Sequence, residues 1–355
     1  MDSFPAILLL FPLNLGLVLS SVLVLFYAER KGAAFMQDRM GPTHVGKFGL
    51  LQPLADLLKL IQKETIVPGN ATRTLFLAAP FLVFASVFAG FAFLPLWDSV
   101  LVTQPIPGGI LLLLGVISLD AIAILMASYA SRSTFPLIAA GRAVAQMVSY
   151  EVPLGIAFLT FFWICNTAQL ADLEAFQLQS ELTAGSGNLS WPWTLFSLEP
   201  SQFGGVFQWN LFRFPVLIFL LPGFYLCILA ESNRAPFDIP EGESEIIGGF
   251  HTEYSGYLWA IFFLAEYAMM LILSILLSYL YFGGKASPIP HFGHSTILNA
   301  PSIVWLILKA WCLGFSMIWV RWTLPRLRID QLLRLSWKVL TPIALIIFLL
   351  TLLAK

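Results

Sequence analysis

The sequence predicts an all-α membrane protein: eight transmembrane helices plus a cytoplasmic interfacial amphipathic helix. Three observations carry that expectation. Of 355 residues, 58% are hydrophobic and only 11% are charged, whereas soluble domains carry about 25% charged residues. The mean hydropathy is +0.83, and the apolar residues fall in long runs that match the ~20 needed to cross a hydrocarbon core of ~30 Å. Lysine and arginine gather in alternate connections. The net charge of −1 leaves no bulk basicity for nucleic acid.

In chain order the spans read as 4–27, 75–97, 109–131, 143–165, 212–230, 255–282, 301–323 and 336–354. The first is read as a span and not a secretory signal, because its start is acidic, its apolar run is long and no small-residue cleavage site follows. The first connection, 28–74, carries FGLLQPLADLLKLIQKE (48–64), in which Leu50, Leu51, Leu54, Leu57, Leu58 and Ile61 recur at helical spacing. Pro53 suits the first turn of such a helix. The helix lies on the membrane interface or packs on the bundle or a partner. Fifteen of the nineteen Lys and Arg residues sit in odd-numbered connections. The positive-inside rule then puts both termini on the non-cytoplasmic side. The outer loop 166–211 is Ser/Gly-rich, and the acidic loop 231–253 is cytoplasmic. The whole chain, 1–355, is expected to be one polytopic membrane domain.

Cys165, Cys227 and Cys312 lie far apart in apolar runs and read as small buried hydrophobes rather than a disulfide or metal framework. His291 and His294 have a spacing metals can use, in a Pro/Gly-flanked outer loop. There is no G-x-G-x-x-G and no P-loop. The chain is therefore expected to hold no metal, flavin or nucleotide of its own.

Ionisable residues inside spans are costly and mark proton or ion paths. The clear cases are Asp120, Glu151, Glu266 and Lys309, with Glu231 at the end of the fifth span. Between two greasy segments comes ESNRAPFDIPEGESE (231–245), with five acids. Glu241, Glu243 and Glu245 alternate, so a strand would put them on one face and a cavity-lining loop would crowd them. Arg234 and Asp238 are near enough in the chain to pair. A proton path through these carboxylates is the expectation, since burial and mutual repulsion let such groups exchange protons near neutral pH.

AERKGAAFMQDRMGPTHVGKFGLLQPLADLLKLIQKE (28–64), GRAVAQMVSYEVP (141–153) and AESNRAPFDIPEGESEIIGGFHTEYSG (230–256) resemble one family. It is the H subunit of proton-pumping NADH-quinone oxidoreductase, respiratory complex I, the counterpart of mitochondrial NADH dehydrogenase subunit 1. The likeness covers essentially the whole chain. An equivalent component of a membrane-bound hydrogenase or another quinone-reducing complex is the neighbouring reading. A stand-alone proton or cation transporter is the alternative from another class; it has no need of such long cytoplasmic blocks.

The resemblance implies a subunit without a redox centre, lodged in the bacterial cell inner membrane among lipids. It docks the peripheral arm, contacts membrane-arm subunits and binds quinone as substrate, while FMN and iron–sulfur clusters sit in partner subunits. Carried onto this sequence, Glu29, Arg30, Arg39, Asp56, Arg142, Arg234 and Asp238 belong to the quinone chamber and its mouth. Asp120, Glu151, Glu231, Glu241, Glu243, Glu245, Glu266 and Tyr267 belong to the proton path. ISLDAIAILMASYASRSTF departs from the family pattern, and Asp120 stands where many relatives are uncharged.

Overall fold

The computed structural model describes residues 3–97, 108–178, 205–289 and 301–353. His291, His294 and most of the outer loop lie outside the described residues. Among those described there are helices and turns and no strand.

Helix α1 (Ser3–Met36) runs well past the end expected at 27. It continues through Glu29 and Arg30 because both charges are paired there, Glu29 with Arg234 and Arg321 and Arg30 with Asp56. Helix α2 (Gln52–Gln62) is shorter than the expected 48–64. Phe48 and Gly49 have φ of 58° and 76°, which no α-helix accommodates, so a 3-10 turn at Lys47–Gly49 precedes it. Pro53 occupies the first turn, where its missing N–H is not needed. One side of α2 packs on α1 and on the helix that follows the acidic loop. Leu51, Leu54, Leu58 and Ile61 line the opposite side and are exposed.

The second span is α3 (Arg73–Gly90), closed by a 3-10 turn at Phe91–Phe93. The third is broken: α4 (Gly109–Ile117) and α5 (Leu119–Ser131) meet at Ser118, whose hydroxyl donates to the Leu114 carbonyl at 2.8 Å. Asp120 sits in the first turn after that break. Helix α6 (Thr134–Cys165) begins earlier than the expected 143. Its polar start is helical because the buried Gln146 finds partners for its amide nitrogen, donating to the Ala230 carbonyl at 2.7 Å and to Asn233 at 3.2 Å.

After α7 (Leu170–Leu178) and the single turn α8 (Asn210–Arg213) comes α9 (Pro215–Glu231). At 17 residues it is the shortest of the apolar helices that stand for spans. A turn, α10 (Glu243–Ile246), leads to α11 (Gly256–Tyr281), the central helix, buried over 78% of its most apolar stretch. Helix α12 (Ile303–Thr323) follows, then α13 (Ile329–Leu335), which passes through a π-turn at Ser336–Leu340 into α14 (Thr341–Leu353). Among the described residues, seven helical segments are long and apolar enough to cross a membrane, and α9 is an additional, shorter one. Cys165 and Cys227 are buried, but Cys312 is exposed, on the outward face of α12, contrary to the buried role expected for it.

Lys309 on α12 is buried and donates to the carbonyls of Phe282, Gly284 and Ala286 at 2.7, 3.0 and 2.6 Å. An ammonium that satisfies three carbonyls ties down the chain where it leaves α11.

Candidate functional site

Residues 231–240 are buried without exception. The acidic loop therefore does not stand in solvent; it is folded into one end of the bundle. Its side chains organise three linked clusters.

The first is built on Glu29. Its carboxylate accepts from Arg234 Nη1 at 3.1 and 3.4 Å, from Arg321 and from the Tyr267 hydroxyl. Four elements meet here: α1, the acidic loop, α11 and α12. The Arg234 guanidinium lies 4.1 Å over the Tyr267 ring. Planar, delocalised Arg suits this stacked, forked setting better than Lys. Beside it, between α1, α2 and α11, opens an apolar cleft of about 100 Å³ whose walls include Phe26, Trp259, Phe263 and Tyr267. Arg30 and Asp56 line it too and are paired with each other; Gln52 donates to Asp56 at 3.0 Å.

The second cluster centres on His251. Nε2 lies 3.2 Å from a Glu241 oxygen and 3.0 Å from a Glu266 oxygen. The imidazole is walled by Phe250, Phe262 and Trp259, with ring centroids 3.9, 5.3 and 6.5 Å away. Burial disfavours its charged form, but the hydrogen bonds to Glu241 and Glu266 outweigh this and raise its pKa to about 9. Burial, then the charge of Glu266, push Glu241 above the usual carboxylate range against the pull of His251. Nearby, Asp238 pairs with Arg326 at 3.0 Å. Burial and then the charge of Glu241 bring Asp238 up to about 7, against Arg326, Arg321 and Arg234.

Glu241, His251 and Glu266 place three donor atoms within 4.8 Å of one another, a grouping with the outline of a metal site. A metal-bound histidine nearly always donates its other ring N–H to an acceptor. His251 Nδ1 is buried and lacks such an acceptor among the described residues, and Glu241, His251 and Glu266 form a hydrogen-bonded acid–histidine–acid unit.

The third cluster is a cavity of about 170 Å³ deeper in the bundle, lined by Glu151 and Glu231 together with Ser118 at the α4–α5 break. Oxygens of Glu231 and of Asp120 are buried without a hydrogen-bond partner. Glu231 feels the charges of Glu151 and Asp120, and Asp120 also feels His251.

Of the residues singled out in the sequence, the structure brings Glu29, Arg234 and Tyr267 into the first cluster, with Arg30 and Asp56 on the adjoining cleft. Glu241 and Glu266 fall in the second, and Asp120, Glu151 and Glu231 in or beside the third. Arg39 is exposed and bonds only within its own loop, to Gln37 at 2.7 Å. Arg142 and Glu245 pair with each other at 2.6 Å on the surface, where Glu245 keeps 62% of its side chain exposed. The Glu243 side chain lies outside the described residues. Glu241 and Glu245 share no face: the chain turns at Gly242 into α10, leaving Glu241 inward and Glu245 outward. Arg234 and Asp238 do not pair; each takes a partner from elsewhere in the chain, Glu29 and Arg326. Sequence reasoning missed His251, Arg321 and Arg326. All three are ionisable residues near span ends, and only Arg321 and Arg326 carried a signal, that of topology-setting charges.

Fold and site together define a multi-pass membrane protein with neighbouring clusters of ionisable side chains buried inside its helical bundle. A family model described as NADH dehydrogenase matches residues 9–352. The chain is 42% identical over 348 residues to the NADH-quinone oxidoreductase H subunit 2 of Cytophaga hutchinsonii, covering 93% of this chain and 94% of that protein. It is 41% identical over 357 residues to the H subunit of Chlorobaculum parvum, covering 96% and 92%. It is 41% identical over 335 residues to the H subunit of Rhodospirillum centenum, covering 94% and 89%. The chain belongs to this NADH dehydrogenase family, that of the NADH-quinone oxidoreductase H subunits.

Proposed function

We propose that this chain is the quinone-chamber and proton-coupling membrane subunit of a proton-pumping NADH-quinone oxidoreductase. One observation carries the reading: a series of neighbouring ionisable groups leads from an apolar cleft into the bundle. It runs Arg30 and Asp56, Glu29 with Tyr267 and Arg234, Glu266 with His251 and Glu241, then Asp120, Glu231 and Glu151.

The cleft suits a quinone. Its walls are aromatic and aliphatic, as an isoprenoid tail requires, and Arg30, Asp56 and Tyr267 supply polar contacts. Partner subunits carrying FMN and iron–sulfur clusters deliver the electrons. Reduction of a quinone takes up two electrons and two protons. Negative charge arriving in a poorly screened cleft acts strongly on nearby groups, by about 4 kcal/mol at 4 Å for an effective dielectric of about 20. Arg30, Asp56 and Tyr267 line the cleft, and Glu29 and Arg234 are in contact with Tyr267. Arg234 also acts on Glu266, so the disturbance reaches the His251 unit and then the cavity shared by Glu231 and Glu151. That cavity has room for several waters between its carboxylates.

In the same reading the exposed leucine face of α2 meets lipid or a partner, and the cytoplasmic loops dock the peripheral arm. Other faces of the bundle meet membrane-arm subunits. Both termini lie on the non-cytoplasmic side of a bacterial inner membrane.

The test is Glu231→Gln in the assembled complex, with quinone reduction and proton translocation measured together in proteoliposomes. Translocation is expected to collapse. Glu245→Gln is expected to keep both activities, because an exposed ion pair is worth about 0–1 kcal/mol. Normal translocation in Glu231→Gln sinks the proposal.

A further inference from the structure

His251 belongs to neither of the sets that the sequence singled out, yet it stands between two groups of acids that no other titratable residue joins among the described residues. On one side, Nε2 faces Glu241 of the acidic loop and Glu266 of α11 at 3.2 and 3.0 Å. On the other, its ring acts on Asp120 of α5, which in turn acts on Glu231 at the end of α9. The second ring nitrogen, Nδ1, is buried with no partner, and so is one oxygen of Asp120. The turn Gly249–His251 packs against α5, so two loose ends lie on neighbouring elements.

From this juxtaposition we propose that His251 is the proton-carrying bridge between the Glu241/Glu266 pair and Asp120. The proposal deepens the coupling function stated above and rests on it. The step balances simply. The imidazolium gives one proton to the Asp120 carboxylate, through a bridging water or a change of rotamer, and becomes neutral imidazole. It then regains one proton from Glu241 or Glu266 in its acid form. One proton enters, one leaves, and no electron moves.

Imidazole is the side chain fitted to this place. It has two nitrogens on opposite edges, so it can receive on one and donate on the other without turning over. Phe250, Phe262 and Trp259 wall the ring, leaving 11% of its side chain exposed. The charged groups that act on His251 come from three elements: Glu241, Glu266 and Asp120. Helix α6 packs on the same turn and carries Arg142 and Glu151. The first is tied to Glu245, and the second opens into the cavity shared with Glu231. Held by two carboxylates, the imidazole keeps its proton up to about pH 9, so it is charged and ready to donate under working conditions.

The experiment uses the assembled complex in proteoliposomes, with NADH:quinone turnover and proton translocation followed from about pH 6 to about pH 10. His251→Gln keeps an amide donor for one carboxylate but carries no proton. Coupled turnover is expected to fall on the order of 100-fold, the usual weight of a positioned proton-transfer group. NADH oxidation by ferricyanide, which bypasses quinone, is expected to be unchanged and reports intact assembly. The wild type is expected to lose turnover on an alkaline limb as the imidazolium loses its proton. Glu241→Gln removes one anion that holds that proton, so it is expected to move the limb to lower pH. A wild-type rate and profile in His251→Gln, with Glu231→Gln inactive, overturns the bridge alone. Normal translocation in both variants overturns the coupling function beneath it. If His251→Gln does not assemble, the Glu241→Gln profile decides: an unmoved limb refutes the bridge.

Discussion

Arg234 is the guanidinium on which the first cluster depends, and its removal has a calculable cost. In Arg234→Met the stem and its packing are largely kept, while Glu29 stays buried with 7% of its surface exposed. Glu29 then retains the Tyr267 hydroxyl and Arg321, whose side chain is 31% exposed and so better solvated. Breaking a buried ion pair by removing one partner costs about 3–5 kcal/mol. The surviving Arg321 places this variant near the lower end, about 3 kcal/mol. Glu29→Gln should cost a similar amount, since it leaves two guanidinium groups facing each other without the intervening anion. The double variant strands neither charge. It is expected to recover about 2 kcal/mol relative to the sum of the single losses, within the range for residues in direct contact. The assay is thermal melting of the detergent-solubilised complex, followed by a thiol-reactive dye that reaches Cys165 and Cys227 only when the bundle opens. Cys312 is exposed and is first replaced by Ser to remove background labelling. Additive losses, or an Arg234→Met complex that melts with the wild type, refute the view that Glu29 and Arg234 form one energetic unit.

Lys309→Met should leave the carbonyls of Phe282, Gly284 and Ala286 without their donor, destabilising the complex by about 2–4 kcal/mol in the same melting assay. Gly256→Ala combines a φ of +61° with a Cβ 2.9 Å from the Lys63 carbonyl oxygen, so it should block assembly. Gly115→Ala, with open space around its Cβ, should assemble normally; equal yields of the two refute the steric reading. The folded-state pKa of His251 is raised from 6.5 to about 9, so its contribution is complete below pH 6.5 and is lost as pH rises through about 9. The melting temperature should fall across that window by the equivalent of roughly 3 kcal/mol, and His251→Gln should lack that part of the slope.

Hydropathy made the spans legible because a hydrocarbon core imposes one requirement, length of apolar helix, that each segment must meet alone. Their ends were less legible. Residues 28–36 look too polar for a span, yet they stay helical because their charges find partners such as Arg321, 292 positions away from Glu29. No window of sequence contains that pair. Arg321 and Arg326 read as topology determinants for the same reason: a basic residue at a span end has a sufficient local explanation, which hides a second role. Glu241 and Glu245 show the limit most plainly. They are the same residue type four positions apart, and one turn of helix at α10 sends the first to His251 and the second to the surface. The acidic loop was legible as unusual. Which of its acids turn inward was set by backbone geometry that composition does not encode.

The order of charges along the proposed route sets how a signal can travel on it. Inward of the Arg30–Asp56 pair at the cleft, anion and cation alternate: Glu29, Arg234, Glu266 and His251. In such a ladder each charge is held by its neighbours, and a disturbance at one end is felt at the other as a shift in electrostatic balance, with no proton displaced. Beyond His251 the pattern changes. Among the described residues no lysine or arginine acts on Glu151 or Glu231, and the groups that act on Glu231 are acids. With no cation to rearrange, a change arriving at Asp120 passes onward only if a proton moves with it. On this reading His251 marks the place where an electrostatic signal becomes a displaced proton. A residue able to act both as a cation in the ladder and as a proton donor beyond it has to be a histidine there, since arginine cannot release its proton and a carboxylate cannot carry the positive charge.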